Sequence, residues 1–537
     1  MYESPTFDAL STELILTRLH SATDEAAEVL RRTALSTLVS ESNDFAIVVT
    51  DCEGNLIAQN SESIPAFIGT LPTTLKELIK EFGESIAEGD ILATNDPWIA
   101  SGHLNDISVV KPVFRAGKIA GYVGSCAHAP DIGGRKRSLE SRDVFEEGFM
   151  IPPMKIVSDG EVNKTFFNLF RAASRMPNES EGDIWAAVAA LSLVDSRIQD
   201  VLSDYDLSDL NAIALEINTR SESAMRSAIR AIPEGRYSYS FDTDGFEENL
   251  HFVVELVVVD GHVHVDFSGT SASVKRAINC PMTYTFAMTA YALKCVFLPE
   301  LPNCEGVLRC FSVTAPTDSI VNPSRPAPVA GRTAVGQYLP ALILGALAPA
   351  LPDKVSAMPG SPLWSCVLTG QRRGGRIRSN TLFFNGGMGA TASNDGECCF
   401  SFPSNVSGVP IEIAEIESPL FIHHKRLAEN SGGRGKHRGG LGLEFSFEIE
   451  SDVPVTLSII AERCKYPAAG LLGGEAGALG RVLVDGSPVD HRRDLHLANG
   501  QVITFQTPGG GGLEPVTERD PRLMERDERL GYTTKGH

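Results

Sequence analysis

His103, Asp106, His128 and Asp131 form two His-x-x-Asp pairs within residues 94–134. Imidazoles and carboxylates in one place suit a divalent cation with mixed nitrogen and oxygen preference, such as Zn, Mn or Fe. A hairpin can bring the two pairs together. Apolar, β-branched runs at residues 107–114 and 119–126 flank Arg115-Ala116-Gly117-Lys118, where glycine gives the freedom a tight turn needs. Folded about Ala116-Gly117, the hairpin places Asp106 opposite Ala127 and Asn105 opposite His128, with both pairs at its open end. Residues three apart on a strand face opposite sides, so the backbone must turn within each pair; Gly102 and Pro130 permit this. Pro112 inside the first run marks an edge strand or a bulge. The competing reading is a polar hairpin mouth whose side chains hydrogen-bond to one another.

Other candidates are spread along the chain. Glu146 and Glu147, in the run DVFEEGFMIPP, are candidate general acid or base groups, or members of a solvated turn. Asp44 stands at the start of an apolar strand, from which it can reach a neighbouring site; it also fits a plain turn residue. His262 and His264 share one strand face, as a metal pair or a polar face. Residues 322–332 are proline-rich and lead to a helix, either as a linker or as an anion-binding helix start. Arg434, Lys436 and Arg438 sit in a glycine-rich loop that lines an anionic channel or is simply solvated.

These residues need several elements to hold them. A chain of 537 residues exceeds one core, and three units are expected: 1–175 with the metal site, 176–335 with a helical hairpin and strands, and 336–537, rich in strands and glycine. Helical periodicity covers 7–37, 73–82, 184–202, 207–232, 284–297 and 335–351. Strands are expected at 44–50, 56–58, 235–242, 252–259 and 263–267. The fold class is α+β, multi-domain, with mixed or antiparallel sheets, a helical hairpin insert and a β-rich, glycine-rich C-terminal third. The charged stretch 514–537 reads as a mobile or partner-bound tail.

Composition excludes several functions. A net charge of −21 argues against nucleic acid or an anionic membrane as partner. No apolar run of ~18 residues is present to span a bilayer. No leader-like basic-then-apolar start is seen, and ten scattered cysteines without a CxxC suit reduced thiols in a cytoplasm. Neither a Walker A sequence nor a strand-linked G-x-G-x-x-G occurs, so no nucleotide site is expected in this chain.

The sequence resembles the hydantoinase B family, the B component of ATP-dependent hydantoinases, 5-oxoprolinases and lactamases, to which subunits of acetone and acetophenone carboxylases are related. The resemblance spans nearly the whole chain. It is carried by Ser42-Asn-Asp-Phe, Asn95-Asp-Pro, His103-Leu-x-Asp-Ile, Ala127-His-x-x-Asp-Ile-Gly-Gly, Glu147-Gly, Asp266-Phe-Ser-Gly-Thr, Asn322-Pro, Val329-Ala-Gly, Ser431-Gly-Gly and Thr507-Pro-Gly-Gly-Gly-Gly. It implies a hetero-oligomer with a hydantoinase A-type ATPase chain that holds ATP and Mg, and a small carbonyl substrate phosphorylated there. It also implies a metal on His103, Asp106 and His128, with Asp44 as fourth ligand and Asp131 beside them. In that scheme Asp131 or Glu147 takes a proton. The family's H-I-P-V-H-x-G run is Ser63-Ile-Pro-Ala-Phe67-Ile-Gly69 here. Ser63 and Phe67 therefore stand where the resemblance expects a substrate pocket, and Phe67 favours an aromatic or aliphatic substrate over a hydantoin. Hydrolysis of a cyclic amide is the first expectation, carboxylation of a ketone the second, and a non-enzymatic scaffold the third.

Overall fold

A computed structural model describes residues 7–135, 138–372, 375 and 377–534, with only the backbone of residue 377. The site is built on a seven-stranded antiparallel sheet. Its strands are β1 (Phe45–Thr50), β2 (Leu56–Gln59), β3 (Ile91–Thr94), β4 (Asp106–Arg115), β5 (Lys118–His128), β6 (Met154–Ser158) and β7 (Glu161–Val162), in the order β2-β1-β5-β4-β3-β6-β7. β1 is buried along its whole length because both faces are covered. Phe45, Ile47 and Val49 enter one core while Ala46 and Val48 enter another, the period of two expected of a strand. The first core is closed by α1 (Ala9–Thr33), whose Ile15, Leu19, Ala22, Ala26 and Leu30 form its buried stripe. On the other face lies α2 (Thr70–Phe82), with Leu75 and Leu78 against Val110 and Tyr122.

The β4–β5 hairpin turns at Ala116-Gly117 as the sequence indicates, but its register differs by one. Asp106 pairs with His128 and Ile107 with Ala127, because a bulge between Val113 and Phe114 leaves Ala120 unpaired on β5. Asp106 and His128 are thereby direct cross-strand partners. β4 is an interior strand, not an edge; β3 pairs with it only as far as Val110, which leaves Pro112 clear of that ladder.

The helical hairpin is α3 (Pro177–Asp204) and α4 (Asn211–Arg230). α3 packs on the first core with α1, so the unit expected from residue 176 shares its first helix with the sheet before it. α4 bridges: Ile213 and Ile217 join the first core, Met225 and Ile229 the second. The second core is centred on β8 (Gly235–Thr243), β9 (Leu250–Val259), β10 (His262–Asp266) and β11 (Phe311–Thr314), with only β10–β11 parallel. α5 (Met282–Phe297) and α6 (Leu339–Leu347) pack there. The helix expected at 335–351 is broken: a four-residue turn at Thr333–Gly336 precedes α6.

The C-terminal third holds β12 (Trp364–Gln371), β13 (Ile377–Phe384), β14 (Leu420–Leu427), β15 (Leu443–Ile449), β16 (Val455–Ile460), β17 (Arg481–Val484), β18 (Ser487–Pro488), β19 (Leu495–Leu497) and β20 (Val502–Gln506). They form two antiparallel sheets, β13-β12-β16-β19 and β14-β15-β20-β17-β18, around Trp364, Phe445, Phe447 and Phe505. Beside them, segments 386–390, 431–442, 468–478 and 507–513 lie backbone against backbone. Gly440 N–H donates to Met388 O at 2.7 Å, Gly510 N–H to Gly440 O at 3.0 Å and Gly433 N–H to Gly510 O at 2.8 Å. Side chains at these glycines would land on neighbouring carbonyls, so the spacing exists only because Cβ is absent. The tail, expected to be mobile or partner-bound, is held against the chain itself up to residue 534. α7 (Pro521–Leu530) is held by Asp527, which accepts from Arg519 Nη2 at 2.5 Å and Arg438 Nε at 3.2 Å. Residues 535–537 lie outside the described residues.

Candidate metal centre

The loop before β4 is tied down by Asn95. Its amide donates to Leu104 O at 2.6 Å and Phe149 O at 3.0 Å, and its oxygen accepts from Ile151 N–H at 2.6 Å. Gly102, at φ +100°, turns the chain so that His103 meets Asp106. A Cβ there would come to 2.8 Å from Arg332 Cδ, so the turn and the arginine share one space.

His103, Asp106 and His128 offer ligand atoms all within 4.8 Å of one another, and each is buried. Asp106 Oδ1 lies 2.7 Å from His103 Nε2 and 2.9 Å from His128 Nδ1. The His103 contact falls outside hydrogen-bond geometry, and neither that nitrogen nor Nε2 of His128 makes a hydrogen bond. Buried imidazole nitrogens without partners beside a shared carboxylate are a donor set that fits a divalent cation. The second carboxylate oxygen of Asp106 takes Arg332 Nη2 at 2.8 Å and Ser101 Oγ at 2.5 Å. Asp44 is one step out, with Oδ2 at 3.6 Å from His128 Nδ1 and its carbonyl accepting the His128 N–H.

The electrostatics suit this role. Burial, then the Arg332 charge, pushes His103 down to about 3, so its imidazole is neutral, as a ligand must be. Burial works to raise the Asp106 carboxyl, but the adjoining His103 and Arg332 and the hydrogen bond from His128 outweigh it and hold Asp106 well below the usual range. Nδ1 of His103 faces Ala330 O at 3.4 Å, a contact that turns Nε2 towards the cluster.

The remaining candidates fall elsewhere. Asp131 does not join the cluster: Arg175 Nε and Nη2 bind its two oxygens at 2.8 and 2.7 Å, and the N–H groups of Gly133 and Arg175 add two more bonds. Glu147 is buried behind the cluster. Its Oε1 accepts from Val329 and Ala330 N–H at 2.7 and 2.9 Å while Oε2 has no hydrogen bond. Burial pushes it up to about 8. Glu146 is at the surface with Arg135 and Arg142. Phe67 is buried in the core and Ser63 accepts from Gln59 Nε2; their neighbours Ile64 and Ala66 face the pocket instead. His264 bonds Ser312, away from the cluster.

The residue that sequence reasoning missed is Arg332. Segment 322–332, expected as a linker or an anion-binding helix start, is pinned against the cluster. Trp98 Nε1 bonds Pro323 O at 2.8 Å, and Asp96 pairs with Arg325. With Glu147 these contacts thread the segment past the site and deliver Ala330 O to His103 and Arg332 to Asp106. Arg332 also stacks over Tyr284 at 4.3 Å and bonds Ser101 O at 2.7 Å. A small pocket, partly open to solvent, lies against the cluster. Its wall takes Ile64 and Ala66 from the first unit, Tyr284 and Met288 from α5, and Leu363, Phe383 and Val406 from the C-terminal third.

The family model for hydantoinase B/oxoprolinase matches residues 8–514. An uncharacterised protein of Methanocaldococcus jannaschii is 33% identical, over 97% of this chain and 93% of its own length. The ATP-dependent caprolactamase of Pseudomonas jessenii superposes with a TM-score of 0.89 at 25% identity, covering 99% of this chain and 95% of that one. An acetone carboxylase studied for ATP-dependent acetone carboxylation superposes with a TM-score of 0.90 at 18% identity, covering 98% and 78%.

Proposed function

The chain belongs to the hydantoinase B/oxoprolinase family, and from that premise we propose that it is the B-type subunit of an ATP-dependent cyclic-amide hydrolase. The observation that carries the site is the buried convergence of His103, Asp106 and His128 at the floor of a pocket. These three would hold a divalent cation, with Asp44 as fourth donor; their N/O set suits Zn or Mn first and Fe after them. Bound there, the cation would supply Lewis acidity towards a carbonyl oxygen or water. Asp106 orients His128, and the Ala330 carbonyl orients His103. Arg332 fixes Asp106 and is itself fixed by Tyr284 and Ser101. Glu147, protonated at neutral pH, anchors the backbone that supports His103 and does not line the pocket.

In the net reaction the ring C–N bond breaks, water oxygen goes to the acyl carbon, and the nitrogen gains a proton. ATP and water become ADP and phosphate. Phosphoryl transfer to the carbonyl oxygen belongs to a partner ATPase chain of hydantoinase A type. The likeness in fold to an acetone carboxylase favours a second reading, carboxylation of a ketone. The test is elemental analysis of the chain purified with its partner, followed by product formation from lactams and ketones with ATP. Label entering from water supports hydrolysis, and label entering from bicarbonate supports carboxylation. ATP-coupled turnover in a complex whose His103→Ala variant is equally active and equally metal-free removes the site from the chemistry.

A further inference from the structure

The pocket wall is sharply divided in character. Beyond the cluster it is mostly apolar, with Ile64, Ala66, Met288, Leu363, Phe383 and Val406. The polar members Thr333, Gln337 and Ser404 are uncharged, and Gln337 Oε1 is engaged by Leu363 N–H at 2.7 Å. Arg332 is the one cationic side chain on this wall among the described residues. It is already committed to Asp106, Ser101 and the Tyr284 ring. A carboxylate on the part of a substrate that lies against the apolar end would therefore lose its water against hydrocarbon with no cation there among the described residues, which is costly. The small size of the pocket also favours a compact body.

We propose that this site takes an uncharged carbonyl compound with a compact apolar body, not one that carries its own carboxylate. The inference rests on the proposed ATP-dependent carbonyl chemistry and names its substrate class. It divides the wall into a charged end that receives the reacting carbonyl and an apolar end that receives the rest.

Two matched pairs test it in the complex of this chain with its ATPase partner. In 2-pyrrolidinone and 5-oxoproline the same lactam ring lacks or bears a carboxylate; acetone and pyruvate form the corresponding ketone pair. ATP-dependent product formation is measured for all four. The expected result is a kcat/KM at least about tenfold higher for the uncharged member of whichever pair reacts. Equal or better use of 5-oxoproline or pyruvate overturns the inference while leaving ATP-dependent chemistry in place. Acetone use with both lactams inert keeps the inference and transfers the function to carboxylation. Inertness of both uncharged probes overturns it. Val406→Lys would place a cation on the apolar wall, and its expected effect is to shift the pair ratio towards the charged member by about tenfold.

Discussion

At the scale of single residues, Arg332 and Glu147 set the state of the centre without being its ligands. Arg332 is buried against Asp106, so its guanidinium both compensates that carboxylate and repels any cation placed beside it. Arg332→Met should therefore act in two directions. The metal-free protein should lose about 3–5 kcal/mol, the usual result of leaving a buried charge unpaired. Divalent cation affinity should rise, and added cation should restore more Tm in the variant than in the native chain. Chelator competition and calorimetry check both, and an unchanged affinity would show that no cation binds at Asp106. Glu147 makes a prediction in pH. Its folded value, about 8, lies above its ordinary 4.5, so between them the folded chain keeps a proton that the unfolded chain has released. The stability this proton brings is complete below about 4.5 and is lost as pH rises through about 8. Glu147→Gln keeps an oxygen for Val329 and Ala330 and cannot ionise. It should match the native Tm near pH 5 and exceed it by roughly 1–3 °C at pH 8.5. Parallel Tm curves would mean that Glu147 is ionised throughout. The ligands themselves were legible as types at a spacing. Arg332 was not, because it reaches Asp106 from 226 residues away and nothing local marks it as polar machinery.

At the scale of elements, the hairpin was readable and its register was not. The turn at Ala116-Gly117 and both apolar runs follow from residue type, and Pro112 allowed for a bulge, but residue type did not place the extra residue at Ala120 on β5. That one extra residue turns a diagonal approach into the direct Asp106–His128 pair. Asp131 was drawn to the site by the same straight extrapolation. Once β5 ends at His128 the chain departs, and Arg175 captures the carboxylate. The loop entering β4 offers the element-scale test. Gly102→Ala would force an unfavourable φ and press on Arg332 Cδ and on Tyr284 Cβ, which a Cβ would approach to 3.1 Å. A loss of about 1–3 kcal/mol is expected from backbone strain alone, with weakened cation binding because His103 moves with the loop. Normal metal content with a lowered Tm would separate the loop's shape from the centre's geometry.

At the scale of the whole molecule, the site is a product of three parts. The first sheet gives the ligands, α5 and segment 322–332 give Tyr284, Met288 and Arg332, and the C-terminal third closes the wall with Leu363, Phe383 and Val406. The last of these depends on the glycine layers. Gly360 N–H donates to Gly387 O at 2.8 Å, just before Leu363, and Gly387 N–H donates to Pro508 O at 3.0 Å, just after β13. From sequence this third reads only as rich in strands and glycine. The assembly of the glycines into one hydrogen-bonded stack was hidden, since the partners lie far apart along the chain. Gly510→Ala would drive a methyl into Met388 O, a backbone atom that cannot rotate away, whereas the tight turn at Gly486, φ +77°, has nothing within 4 Å of its Cβ position. The Gly486 substitution should cost about 1 kcal/mol, as an ordinary positive-φ glycine does. The Gly510 substitution should cost more than about 3 kcal/mol, in the range of severe overpacking and above. It should also loosen the pocket, so that protection of amides in β12 and β13 from hydrogen exchange falls with stability. If Gly510→Ala behaves like Gly486→Ala, the layers tolerate side chains and the C-terminal wall stands without them.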